Sequence, residues 1–229
     1  VVCIQSIHME TSLRTSRLVS ALELLLGATV VIAHNVYQVV PNEVPILCIA
    51  GLLSLRLREG GWVALGLNRP ASWIRTIGIA LGAAALRLLM GEFVTDPLTA
   101  KIWHQPLELP KAFSSLTGNP KQALVTLLAV WAFAAFGEEI AYRGYLMRRA
   151  ADAGGRSKPA YGAALVLVSV LFGIGHYWKG PGGMVDSGLA GMILGSAYLL
   201  SGRNLWVAVL AHGFIDTTGV VLLYFGLAS

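Results

Sequence analysis

Apolar residues run along this chain in seven stretches, at roughly 18–40, 44–57, 72–95, 121–147, 159–178, 184–201 and 204–226. The runs are continuous rather than alternating at period two, and about 20 apolar residues suffice for a helix to cross a bilayer. They therefore predict membrane helices and exclude a β-barrel. The second run is short, and a tilt or its flanks must complete it. Between runs, 58–71 holds Glu59-Gly60-Gly61 and Asn68-Arg69-Pro70, a turn-rich connector. Residues 96–120 hold Pro97, Pro106, Pro110 and Pro120 and predict an irregular external loop. The expected fold is all-α, a polytopic transmembrane helical bundle of about seven spans, with six to eight as the range. It forms a single integral membrane domain. Residues 1–17 are its cytoplasmic segment, 18–120 its N-terminal helices and connectors, and 121–226 the part expected to carry chemistry.

Composition sharpens this picture. Of 229 residues, 55% are hydrophobic and 13% charged, with a mean hydropathy of +0.67. A soluble domain carries about 25% charged residues. The net charge of +5 does not point to nucleic acid, because the basic residues sit at the ends of apolar runs. Arg14 and Arg17, then Arg56, Arg58, Arg69 and Arg75, then Arg148, Arg149, Arg156 and Lys158, then Arg203 occupy alternate connectors. The opposite set holds Lys101, Lys111, Lys121 and Lys179. The positive-inside rule puts the N-terminus in the cytoplasm and, with seven spans, the C-terminus outside; the plasma membrane is the expected location. Trp73, Trp178 and Trp206 fall near span ends, as an aromatic belt requires. The first apolar run is too long for a cleaved signal peptide and is expected to be retained, with Met9 a candidate start. Cys3 and Cys48 have no metal-ligand spacing and read as unpaired thiols.

Three polar signatures interrupt the later runs. Ionisable groups within a membrane are costly and mark function. The first is Glu138-Glu139-Ile140-Ala141-Tyr142-Arg143. On a helix Glu139 and Arg143 share a face and pair, while Glu138 points about 100° away. One carboxylate is thus left uncompensated, which suits a general base. The second is Phe172-Gly-Ile-Gly-His176, whose spacing stacks ring on imidazole; alone, such a histidine reads as structural. The third, His212-Gly-Phe-Ile-Asp216, lets Asp216 orient His212, or lets both hold a metal or an oxyanion. Arg87 is expected to snorkel outward near Glu92, and Glu23, His34 and Asn35 sit near span ends without a catalytic role. His8 and His104 fall outside the spans.

The trio resembles the CAAX protease and bacteriocin-processing family of intramembrane endopeptidases, which includes the type II CAAX prenyl endopeptidases. The resemblance covers about 120–226, with Leu65-Gly66-Leu67-Asn68-Arg69-Pro70 similar to the family's lead-in. It implies an all-helical membrane fold and proteolysis in a cavity open to the cytosolic side. It also implies that Glu138 activates water beside His176, and that His212 and Asp216 help stabilise the oxyanion. Prenyl-processing members carry Asn at the last position. Asp216 departs from that and argues against a prenylated substrate, since a carboxylate donates no hydrogen bond.

The expected activity is therefore hydrolysis of a peptide bond in a membrane-associated protein or peptide, with no cofactor. Glu139, Arg143 and Phe172 would support the site. A zinc enzyme holding its metal on Glu138, His176 and His212 is the alternative mechanism, although H-E-x-x-H is absent. A non-catalytic relative binding a membrane peptide, partner or lipid is the alternative of another class. One conflict stands. Glu138 lies about 15 Å inside the inner end of the fourth run, whereas His176 lies near the outer end of the fifth.

Overall fold

A computed structural model describes residues 16–104 and 115–227. Expectations resting on Cys3, His8, Met9, Arg14, Pro106, Pro110 and Lys111 fall outside these residues. Among the described residues there are seven helices and no strand: α1 Arg17–Asn35, α2 Glu43–Glu59, α3 Trp73–Trp103, α4 Pro120–Ala153, α5 Lys158–Ile174, α6 Gly180–Leu200 and α7 Leu205–Tyr224. Side-chain oxygens fix most of their starts. Ser16, Asn42, Ser72, Asn119, Ser157 and Asn204 each accept from a backbone N–H of the first turn, satisfying donors that a helix start leaves open. α6 starts differently, on Gly180-Pro181-Gly182-Gly183 with no side-chain cap.

Five of the helices, all but α2 and α5, are long and apolar enough to cross a membrane. The 17-residue α5 is apolar but shorter. α2, also of 17 residues, is no longer than α5, and its last turn holds Arg56, Arg58 and Glu59. The expectation of a loop from residue 96 is corrected: α3 stays helical to Trp103. A π turn at Gly91–Thr95 directly precedes Asp96-Pro97. The wide turn shifts the bonding register from i→i+4 to i→i+5 just ahead of Pro97, which has no N–H to give.

The helices run alternately up and down. Where α1 starts, α2 ends and α6 hands over to α7, the chain is stitched across. Arg58 Nη2 donates to the Ser16 carbonyl at 3.1 Å, Leu205 N–H to the Gly66 carbonyl at 2.8 Å, and Arg148 pairs with Glu59. Arg149, with no exposed surface, reaches Glu23 and Glu59 at 2.8 Å and Asp152 at 2.7 Å. Glu23, near the inner end of span one, thus holds two arginines, Arg149 and, at 2.9 Å, Arg58. At the opposite end Gly118 N–H donates to the Tyr224 carbonyl at 2.9 Å, and His34 meets Glu43. All the basic connectors counted above among the described residues gather at the first end.

The main core joins α1, α2, α4, α5 and α7 through Val31, Leu47, Tyr142, Leu146, Phe172 and Val209; a second joins α3, α6 and α7 through Ala80, Leu194 and Val207. In lipid, where apolar burial gives little drive, close packing of small residues holds helices together. Gly173 of α5 illustrates it: a Cβ there would stand 2.6 Å from the Met184 carbonyl of α6.

Candidate active site

α4 carries the first signature, and its winding is unusual. Val130–Glu138 and Ile140–Leu146 are both π-helical, with Glu139 between them. π segments appear mostly as single-turn bulges, often at functional sites; here Glu138 closes the first and Glu139 stands between the two. Glu139 is fully buried, and its Oε1 accepts twice, from Arg143 Nη1 at 2.7 Å and from His212 Nδ1 at 2.8 Å. Arg143 continues to the Gly191 carbonyl of α6 at 3.1 Å. Glu139 therefore ties α4 to α7 and, through Arg143, to α6. The Glu139–Arg143 pair is the one its spacing predicts.

Phe172 is the hub of the aromatic contacts. Its ring centroid lies 4.8 Å from that of His176, 5.0 Å from Tyr142 and 6.1 Å from His212. The Arg143 guanidinium sits 4.6 Å over it. His176 Nδ1 lies 2.8 Å from the Phe172 carbonyl. A carbonyl only accepts, so Nδ1 carries the hydrogen and Nε2 keeps a free lone pair. His212 Nε2 lies 3.6 Å from Asp216 Oδ2, within ion-pair range but beyond a hydrogen bond. The direct bond on His212 thus comes from Glu139, a residue 73 positions away in sequence.

Glu138 stands apart from this network. Its Oε2 is buried and accepts no hydrogen bond. It lines a cavity of about 450 Å³ between the starts of α2 and α4, with Asn42, Gln122, Thr126 and Phe133 among the other walls. The charges of His212, Asp216 and Arg143 act on it.

The conflict in depth disappears once the helix ends are known. α4 runs on to Ala153, which sets Glu138 roughly 22 Å from that end at 1.5 Å per residue. α5 starts at Lys158 and stops at Ile174, so His176 lies roughly 27 Å from the same end. The short α5 ends near the level of the glutamates, and His176 shares Phe172 with Arg143.

Residues 120–218 match the family model described as Type II CAAX prenyl endopeptidase Rce1-like. These residues are similar to an Rce1-like domain. No curated protein and no solved structure matches the chain. All seven residues singled out from the sequence at this site lie within the Rce1-like domain. With its apolar helices, the domain makes the chain an integral membrane protein.

Arg87 departs from its expected outward course. It turns inward to Asp186 at 2.5 Å, and Thr95 donates to the other oxygen of Asp186 at 2.6 Å. Snorkelling suits a cation with no partner at its own depth, and Asp186 on α6 supplies one. Among the described residues no three His, Cys, Asp or Glu side chains gather to hold a metal ion, Glu138, His176 and His212 included. The Gly191 carbonyl and the residues Tyr142 and Glu43 around the site went unread in the sequence. Tyr142 stands inside the first signature, and that is the only signal any of the three gave.

Proposed function

We propose that this protein is an intramembrane endopeptidase that cleaves a membrane-associated protein or peptide with a glutamate-activated water. One observation supports it most. Glu138 lines a cavity, and its buried Oε2 has no hydrogen-bond partner, in a segment where burying a charge unpaired is costly. Glu138 takes a proton from water while the neutral Nε2 of His176 accepts a hydrogen bond from the O–H that the attacking oxygen keeps. The water oxygen bonds to the carbonyl carbon. His212, held at Nδ1 by Glu139, donates from Nε2 to the oxyanion with Asp216 on that side. Glu138 then passes its proton to the amine as the C–N bond breaks. The Rce1-like domain is the second support, since its description names an endopeptidase.

The test is incubation of the purified protein in lipid nanodiscs with membrane-anchored peptides, reading fragments by mass spectrometry. The expected result is paired fragments whose yield is unchanged by a chelator. Activity abolished by chelation and restored by zinc would contradict the glutamate mechanism. We also propose that the basic end faces the cytoplasm of the plasma membrane. A thiol placed by Lys158→Cys should then react with an impermeant reagent only after cells are opened; reaction in intact cells reverses the orientation.

A further inference from the structure

A cation and an acid meet between two helices that are each long and apolar enough to cross the membrane. Arg87 Nη2 of α3 lies 2.5 Å from Asp186 Oδ2 of α6, and Thr95 donates to Asp186 Oδ1 at 2.6 Å. Asp186 and Thr95 are both buried. Each oxygen of Asp186 is therefore held by α3. The winding of α3 makes this possible. In an unbroken α-helix residues i and i+8 point about 80° apart, whereas one widened turn between them takes up an extra residue and brings them within about 20°. The π turn at Gly91–Thr95 does this for Arg87 and Thr95. Gly91 leaves the room, since a Cβ there would stand 2.5 Å from Arg87 Nη1.

We infer that Arg87 and Thr95 are positioning residues for His176, acting through Asp186 and the first turns of α6. The path is short. Asp186 stands between Met184 and Gly188, and both of these meet Gly173 of α5. A Cβ on Gly173 would lie 2.6 Å from the Met184 carbonyl and 3.4 Å from Gly188 Cα. The Gly173 carbonyl accepts the His176 N–H at 2.9 Å, and the His176 carbonyl accepts the Lys179 N–H at 2.9 Å. The backbone of His176 is thus bonded on one side to the residue that packs on α6, and on the other to the turn that opens α6. That opening, Gly180-Pro181-Gly182-Gly183, has no capping side chain. The hold comes from α3 instead, through Asp186.

Stability alone does not call for the ion pair. Apolar residues of similar volume in place of a buried pair are often neutral or stabilising, whereas removing one partner leaves a costly lone charge. An ionisable pair inside the membrane points to function, and its reach toward His176 says which function it serves.

The inference rests on the protease reading, and its test separates the two. The key variant is Arg87→Met with Asp186→Leu, which removes both charges and leaves none buried alone. Thr95 then keeps an acceptor in the Gly91 carbonyl, 3.5 Å away. Thr95→Val is the second variant, nearly isosteric and with the ion pair left in place. Arg87→Lys is the conservative one. The guanidinium reaches Asp186 through Nη2 while its Nε has no hydrogen-bond partner, so a single ammonium can stand in for it. kcat and KM are measured in nanodiscs on a membrane-anchored peptide, per folded molecule, beside unfolding temperatures. NMR of protein labelled with 15N-histidine reads the His176 ring, whose Nδ1 donates to the Phe172 carbonyl at 2.8 Å.

The double variant should unfold at the wild-type temperature or above. It should lose about tenfold or more in kcat, with KM within about threefold, as a displaced catalytic group does. Its His176 signal should shift or broaden. Thr95→Val should lose about threefold in kcat and move the same signal less. Arg87→Lys should keep kcat within about twofold of wild type, with the signal in place. Wild-type kcat per folded molecule and an unmoved His176 signal, in the double variant and in Thr95→Val, would overturn the inference whatever the unfolding temperatures. Should the double variant not fold, Thr95→Val decides on the same two readouts. The signal reports the place of the ring whether or not anything is cleaved. A moved signal in the variants with no cleavage by wild type would therefore count against the protease reading alone.

Discussion

A single oxygen of Glu139 accepts from both Arg143 and His212, so this glutamate is more than the helix-bound partner of an arginine. Replacing it by Gln keeps one carbonyl acceptor but removes the charge facing both cations. Supporting residues that orient a working histidine typically cost 10–100-fold when changed. Glu139→Gln should therefore lower kcat by about that factor, with KM moving by less than about threefold, in steady-state cleavage assays. An unchanged kcat would mean that His212 does not act through Glu139. At this scale the sequence was half legible. The spacing of Glu139 and Arg143 announces their pair, and Phe172 and His176 stack as four-apart residues should. The Glu139–His212 bond spans two helices, so no local periodicity points to it. For the same reason the His212–Asp216 spacing suggested the bond that Glu139 in fact makes.

The helices that present these residues show where hydrophobic pattern is a good guide and where it is not. Long apolar runs give the existence and order of the seven helices, since seven runs were read and seven helices form among the described residues. Ends are less legible, because they depend on caps and partners. α4 extends past its apolar run to Ala153, since Arg148, Arg149 and Asp152 find counter-charges there. That extension brings Glu138 level with His176. The π winding of α4 also left no trace in hydropathy, and the wide turn in α3 let a helix continue where Pro97 signalled a stop. The contact of α5 with α6 tests whether close packing holds the site together. Gly173→Val puts a methyl-bearing Cβ against the Met184 carbonyl, at 2.6 Å before any shift. Overpacking of this kind costs about 1–3 kcal/mol. A lower unfolding temperature in nanodiscs, with reduced cleavage by the folded fraction, is expected. Unaltered stability and activity would show that α5 and α6 can separate freely.

Across the whole molecule, charge is sorted by end. Arg58, Arg148, Arg149 and Arg156 gather at one end around buried acids, and the balance of charge along the chain foreshadowed that division. It could not reveal that Arg149 is buried among Glu23, Glu59 and Asp152, because burial of a charge depends on which helices meet. Glu59, at the end of α2, feels burial first, which pushes its pKa up. Hydrogen bonds and charge from Arg148 and Arg149 outweigh that and hold it below its ordinary 4.5. A depressed carboxylate stabilises the fold fully above its unfolded value, and that stability is lost as pH falls through the folded value. The unfolding temperature should therefore be flat above about pH 5 and fall on further acidification. Glu59→Gln should flatten that fall, and an equal fall in both proteins would place the acid sensitivity elsewhere.

The central claim is that Glu138 activates the water. Glu138→Gln is nearly isosteric and removes the base while leaving the Glu139–Arg143–His212 network in place. The most direct measurement compares fragment release from one membrane-anchored peptide by wild type and Glu138→Gln, both in nanodiscs with matched unfolding temperatures. Loss of about 100-fold or more in kcat is the predicted result. Cleavage by Glu138→Gln at the wild-type rate would contradict the account.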